Sequence, residues 1–360
     1  MSIAKNIIIK NLKTFPVVDL FCGIGGMTHG FVKKGFRVIA GIDTDLSCKY
    51  AYEKNNQAKF IHKDVDDIEV SEVISLYPKN SIKILIGCAP CQPFSTYTQK
   101  RPKNRKKWSL LYSFARLIKE TQPEIISMEN VPWLIKFKPP PVFDDFVGSL
   151  KDEGYEVFHR LVNCADYGVP QNRIRLVLIA SKFGKINLIN VTHSPNNYRT
   201  VRETIGYLDP IEDGQICPSD TLHRTSKLSE LNKKRIISSL PGGTWRDWDE
   251  SLVAECHKKK SGRNYGSVYG RMEWNKPAPT ITTQCYGFGN GRFGHPEQHR
   301  AISLREAALL QTFPPDYDFM APDSKVSVRI IGRHIGNAVP VKLGEIIAQS
   351  IKEHLEAYNV

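Results

Sequence analysis

The chain has 360 residues, 41% of them hydrophobic and 24% charged, and its 50 Lys and Arg against 37 Asp and Glu leave a formal net charge of +13. That composition excludes a chain disordered throughout, a collagen and a disulfide-stapled miniprotein, and the length suits one large domain or two medium ones. The charge points to a polyanionic partner, most simply nucleic acid, or else to a basic enzyme without one. No apolar run approaches the roughly 20 residues that span a bilayer. Near the start, Ile7, Ile8 and Ile9 are flanked by Lys5, Asn6, Lys10 and Lys13, which is no signal-peptide core. Eight irregularly spaced cysteines do not form a disulfide framework, so a reducing compartment is expected.

In chain order, residues 16–21 read as a buried strand, followed by a Gly-rich turn and a helix over 27–34. A second strand is expected over 36–43, a helix over 46–55 and a short third strand ending near Asp64. Residues 81–87 form the next apolar run, 110–120 a helix, 124–128 a strand and 173–180 the last strand of the series. Strands alternating with helices predict an α/β domain with a largely parallel sheet. From about 190 to 300 the periodicity thins, and Gly, Asn, Thr, Arg and aromatic residues dominate, as in a smaller irregular domain. Helical periodicity returns over 303–311 and 341–358, the latter able to pack back onto the first sheet. No internal repeat is present.

The first turn, Asp19-Leu20-Phe21-Cys22-Gly23-Ile24-Gly25-Gly26, joins a strand to a helix. Its glycines permit positive φ and close approach of a ligand, and the helix start offers free N–H groups. Asp43 ends the second strand 18 residues after Gly25, where a carboxylate accepts from ribose hydroxyls. Asp64 at the third strand end can accept from an adenine amino group. The spacing departs from the dinucleotide G-x-G-x-x-G and favours another adenosine ligand; the alternative is a tight turn with no ligand. A literal G-x-G-x-x-G at Gly289–Gly294 follows a strand-like stretch, 280–286, but opens no helix and reads as a loop.

After the 81–87 run comes Gly87-Cys88-Ala89-Pro90-Cys91-Gln92-Pro93-Phe94-Ser95. Cys88-x-x-Cys91 is open to three readings: a redox pair, half a zinc site, or a nucleophilic thiol on a strand-to-loop turn. No second paired motif completes a zinc site, and no metal is expected. Six of the eight residues 100–107 are basic, either a solvated loop or a cationic segment beside this site.

Together these segments resemble the DNA cytosine-5 methyltransferases. Pro90-Cys91-Gln92 follows Asp19-Leu20-Phe21-x-Gly23-x-Gly25-Gly26, and Glu129-Asn130-Val131, Gln171-x-Arg173-x-Arg175, the 305–314 segment and Gly336-Asn337-x-Val339 come after in the family's order. The similarity runs from about Val17 to Val341. It implies a Rossmann-like S-adenosylmethionine-dependent methyltransferase sheet with a second, smaller, irregular target-recognition domain. The implied division is 1–190 plus 325–360 for catalysis and cofactor, 191–300 for target recognition, and 301–324 as a hinge.

The resemblance implies a catalytic set of Cys91, Glu129, Arg173 and Arg175. Cytosine C5 is a poor nucleophile, and a thiolate added at C6 turns it into an enamine-like carbon able to take a methyl group. Cys91 would be that nucleophile, and Glu129, once buried, would bond N4 and N3. Arg175 would bond O2, and Arg173 would hold the constellation and the DNA backbone. Two arginines spaced two apart on a strand share a face. For the cofactor, Phe21 would stack on adenine, and Gly23, Ile24 and Gly26 would approach the methionine portion. Asp43 would take the ribose and Asp64 the adenine amino group, with Thr44, Val65, Pro90, Leu110, Asn337 and Val339 completing the pocket. Asp43 stands where the family often has Glu, and Thr44 where it often has an aromatic ring. Cys88 reads as a small packing residue.

The resemblance further implies double-stranded DNA as partner, with the target base flipped out of the stack. The loop 95–108 would close over that base, and Arg224, Arg246, Arg263, Arg271 and Arg292 are suited to base edges. A bacterial or phage restriction-modification role, a cognate endonuclease as functional partner, a cytoplasmic location and a monomer are the matching expectations. Two rivals compete. A tRNA cytosine-5 methyltransferase shares the chemistry, but Gln92 and the long variable region favour DNA. A nicotinamide-dependent oxidoreductase with a Cys88/Cys91 redox pair leaves Glu129 and the Arg173/Arg175 motif unexplained.

Overall fold

A computed structural model describes residues 14–90 and 105–360, without the side chains of 105–108. Cys91 and most of the basic loop therefore lie outside the described residues. The first strand β1 (Pro16–Leu20) leads through α1 (Gly26–Lys33), β2 (Arg37–Asp43), α2 (Lys49–Asn56), β3 (Lys59–His62) and α3 (Val70–Leu76) to β4 (Ile84–Gly87). Then come α4 (Arg105–Thr121), β5 (Ile125–Asn130), α5 (Val142–Asp152), β6 (Glu156–Asn163) and β7 (Ile174–Ser181). These seven strands form one sheet in the order β3-β2-β1-β4-β5-β7-β6. The five from β3 to β5 are parallel, and β7 runs antiparallel to both of its neighbours. The expected parallel sheet thus carries one reversed strand, and β6, unpredicted, covers its edge.

Alternate side chains of the central strands enter opposite layers, as the pleat requires. Val17, Ile84, Ile86, Ile125, Val177 and Ile179 face one core, and Val18, Leu85, Ile126, Met128, Leu176 and Leu178 face the other. On the first side α1 crosses α11 (Val341–Ala357) at two glycines: a Cβ on Gly30 would lie 2.5 Å from Glu345 N, and one on Gly344 would lie 2.8 Å from Met27 O. The C-terminal helix packs back onto the first sheet as expected. On the second side lie α3, α4 and α5, with Val73, Phe114 and Phe146 inward.

Residues beyond β7 carry short elements: α6 (Val201–Ile205), β8 (Ile216–Cys217), β9 (Asp220–Arg224), α7 (Glu230–Ser238) and α8 (Glu255–Lys258). A small separate core joins Ile236, Trp245, Trp248, Phe288 and Ala301. The 280–286 stretch is not a strand; its backbone is turns, braced instead by side chains described below. Gly289–Gly294 opens no α-helix: Phe288–Asn290 forms a single 3-10 turn, and the rest runs on as loop. The chain returns through α9 (Leu304–Leu310) and α10 (Val328–Asn337) to α11. Ser303 and Glu306 cap α9 reciprocally, which is why the helix starts there.

Candidate active site

Between β1 and β4 the strand order reverses, and open α/β sheets bind ligands at the strand ends of such a point. A cavity of about 310 Å³ opens there. Its walls come from the turn after β1 (Phe21, Gly23, Ile24, Gly26), the end of β2 (Asp43, Thr44), the segment after β4 (Cys88, Ala89, Pro90) and the end of α10 (Asn337, Val339).

Phe21, Gly23 and Gly25 all take positive φ, which folds the turn back over the sheet edge. Asp43 fastens it: one carboxylate oxygen accepts from Gly23 N and the other from Asp45 N, both at 2.8 Å. Gly26 lies so close to the C-terminal segment that a Cβ would sit 2.3 Å from the Val339 carbonyl oxygen. Asp19, buried on the cavity wall, accepts from Thr28 Oγ1 at 2.5 Å. Burial lifts its carboxyl to about 7, against the pull of Thr28.

Beside this cavity, at the ends of β5 and β7, Glu129 is 3% exposed. Its Oε1 lies 2.9 Å from Arg175 Nε, and its Oε2 accepts from Cys88 Sγ at 2.7 Å. Antiparallel pairing of β5 with β7 sets this up, because Glu129 and Asn130 stand opposite Val177 and Leu176, one step from Arg175. Asn130 donates to Ala89 O at 3.1 Å and so ties the Pro90 segment to β5. Arg173, also buried, donates to Ile281 O at 2.9 Å and Ala338 O at 3.3 Å.

A family model for C-5 cytosine-specific DNA methylases matches residues 15–353. The chain belongs to that family. It is similar to the type II methylase M.HgiDII of Herpetosiphon aurantiacus, 58% identical over 95% of this chain and 96% of that protein. The type II methyltransferase M1.BsuMI of Bacillus subtilis (strain 168) is 31% identical over 93% of this chain and 80% of its own. A prophage-encoded E. coli protein described as a DNA modification methyltransferase superposes with a TM-score of 0.72 at 22% identity, over 95% of this chain and 100% of that one. This methylase is a DNA cytosine-5 methyltransferase with the α/β methyltransferase fold.

Of the cofactor residues expected in this methylase, Phe21, Gly23, Ile24, Gly26, Asp43, Thr44, Pro90, Asn337 and Val339 line the cavity together. Asp64, Val65 and Leu110 are not in that lining; Val65 is buried under α4, and Asp64 Oδ1 accepts from Asp66 N at 3.1 Å. Reading by motif missed Asp45, Arg333 and His334. Arg333 pairs with Asp45 at 2.7 Å, and His334 Nε2 lies 3.4 Å from the same carboxylate and 3.0 Å from Ser47 Oγ. This pairing joins the end of β2 to α10, 288 residues away in sequence. Asp45, Cys48 and His334 bring ligand-type atoms within 4.8 Å of one another, but the Arg333 guanidinium on Asp45 works against a metal cation.

Gln171 also acquires a role that its motif does not reveal. Fully buried, it accepts from Ile281 N at 2.9 Å and donates to Leu310 O at 3.1 Å and to Gln311 Oε1 at 2.9 Å. Gln311 Nε2 passes the chain of bonds to Ile335 O at 2.7 Å. Gln171 and Arg173 thus lock the start of β7 to three distant segments. Two expectations change. Cys88 is more than packing, since it touches Glu129. Arg271 is 2% exposed and spends its guanidinium on the Ile236, His295 and Gln298 carbonyls, so it braces the irregular region and cannot read a base. Arg246 and Arg263 are exposed.

Proposed function

We propose that the cavity takes S-adenosylmethionine and that a cytosine flipped out of duplex DNA enters beside it, over Glu129 and Arg175, to meet Cys91. The observation that carries this reading is the buried Glu129–Arg175 pair standing against the Cys88–Pro90 wall of the cavity, with Cys91 the next residue in the chain. The cavity suits the cofactor chemically: an aromatic face at Phe21, a carboxylate at Asp43, and a positive-φ turn that leaves backbone open to a ligand. When bound, S-adenosylmethionine supplies an electrophilic methyl group on a sulfonium.

In this proposal the Cys91 thiolate adds to C6 while Glu129, acting as the carboxylic acid once the base is bound, bonds N4 and gives its proton to N3. Arg175 holds O2, and its charge keeps Glu129 aimed. C5 then takes the methyl group as its bond to the sulfonium sulfur breaks and leaves the thioether; water accepts the C5 proton, N3 returns its proton to Glu129, and the ring expels the Cys91 thiolate. Arg173 is a positioning residue, since its bonds run to Ile281 and Ala338 within the protein. The catalytic unit is 1–190 plus 325–360, with 191–300 reading the DNA site and 301–324 as the hinge. A monomer modifying duplex DNA against a cognate endonuclease fits the type II relatives.

The test is methyl transfer from labelled S-adenosylmethionine to unmethylated genomic DNA and to bulk tRNA, with Cys91→Ser as control. Label at C5 of cytosine in DNA, absent from the variant, is the expected result. Label in tRNA alone overturns the substrate, and a fully active variant overturns the nucleophile.

A further inference from the structure

Glu129 is almost wholly removed from water, and a buried carboxylate is costly unless each oxygen finds a partner. Arg175 Nε faces Oε1 as an ion pair at 2.9 Å without an aligned hydrogen bond, so among the described residues the Cys88 thiol, 2.7 Å from Oε2, makes the hydrogen bond to this carboxylate. Cys88 also lines the cofactor cavity, so its side chain stands on the wall shared by the two subsites. A thiol is a weak donor, easily exchanged for a better one. An amino group such as cytosine N4 is a better one.

We infer that Cys88 is a positioning residue for Glu129: its thiol keeps Oε2 oriented while the base is absent and yields that oxygen to the incoming cytosine. This rests on the assignment of Glu129 made above. The inference separates the two cysteines of the Cys88-x-x-Cys91 motif into a nucleophile and a holder for the carboxyl group.

The experiment compares Cys88→Ala, which deletes the donor, with Cys88→Ser, which keeps one. Single-turnover methylation of a duplex carrying the site gives the rate, and titration gives the affinities for cofactor and DNA. Losing the bond that orients Glu129 before the base arrives lowers the methylation rate of Cys88→Ala at subsaturating duplex about five- to tenfold. Affinity for S-adenosylhomocysteine stays within twofold, and Cys88→Ser recovers the rate to within about twofold. In a Glu129→Gln background, Cys88→Ala has no further effect. An unchanged rate in Cys88→Ala overturns the inference. So does an equal loss in Ala and Ser, or a loss matched by weaker cofactor binding, either of which makes Cys88 a packing residue. Full activity in Glu129→Gln instead overturns the role of Glu129 itself, so the two failures are distinguishable.

Discussion

Glu306→Gln isolates one buried charge. Glu306 and Arg300 are each 1% exposed and meet through two hydrogen bonds of 2.8 Å. Arg300 joins the end of the irregular region to α9, and its remaining donors reach Ile211 O, Gln298 Oε1 and Ala301 O. Gln keeps the volume and the reciprocal cap with Ser303 but leaves the guanidinium buried among neutral acceptors. Removing one member of such a pair costs roughly 3–5 kcal/mol. Urea unfolding at pH 7, followed by circular dichroism, should register that loss. The double variant Arg300→Met/Glu306→Leu, which removes both charges, should recover most of it.

The pH dependence has a definite sign. Burial opposes ionisation of Glu306, but the Arg300 hydrogen bonds and charge outweigh it and bring the carboxyl from 4.5 down to about 2. Its stabilisation is therefore present above 4.5 and lost as pH falls toward 2. Burial lowers His295, 3.7 Å from Glu306, from 6.5 to about 4, so its contribution is lost as pH falls from 6.5 through 4. In Glu306→Gln the limb below 4.5 that belongs to Glu306 disappears. A loss under about 1 kcal/mol at pH 7, or a double variant no better than the single one, would refute the reasoning.

Two further outcomes follow from the site. Gly26→Ala forces the Val339 carbonyl off the cavity wall, so affinity for S-adenosylhomocysteine should fall at least tenfold by calorimetry; an unchanged affinity would show that the wall tolerates a methyl group. Neutralising Lys103, Arg105 and Lys106 should weaken duplex binding and reduce the slope of log affinity against log salt by about 0.9 for each phosphate no longer neutralised; an unchanged slope would take those side chains off the DNA.

The local order of this protein is written in its sequence. Near-continuous apolar runs in β1, β4, β5 and β7 and the glycines before α1 each act on neighbours a few residues away, so sequence patterning reveals them. The motifs named nine of the residues that line the cavity, because a sheet edge collects whatever follows successive parallel strands. β6 escaped notice because an edge strand needs no apolar alternation; His159, Arg160 and Leu161 all lie exposed. The irregular region was illegible for a related reason. Arg271 on three carbonyls, Arg292 on Gly243 O at 2.6 Å and Trp245 on Tyr265 O at 2.9 Å hold it, and such bonds have no period. Only the tertiary structure decided that Glu129 would lie between Cys88 and Arg175, that Gln171 and Arg173 would lock Ile281, Leu310 and Ala338, and that Arg333 would reach Asp45. Each of these joins residues tens to hundreds of positions apart, and what selects them is the need of a buried charge or amide for a partner, which sequence spacing does not record.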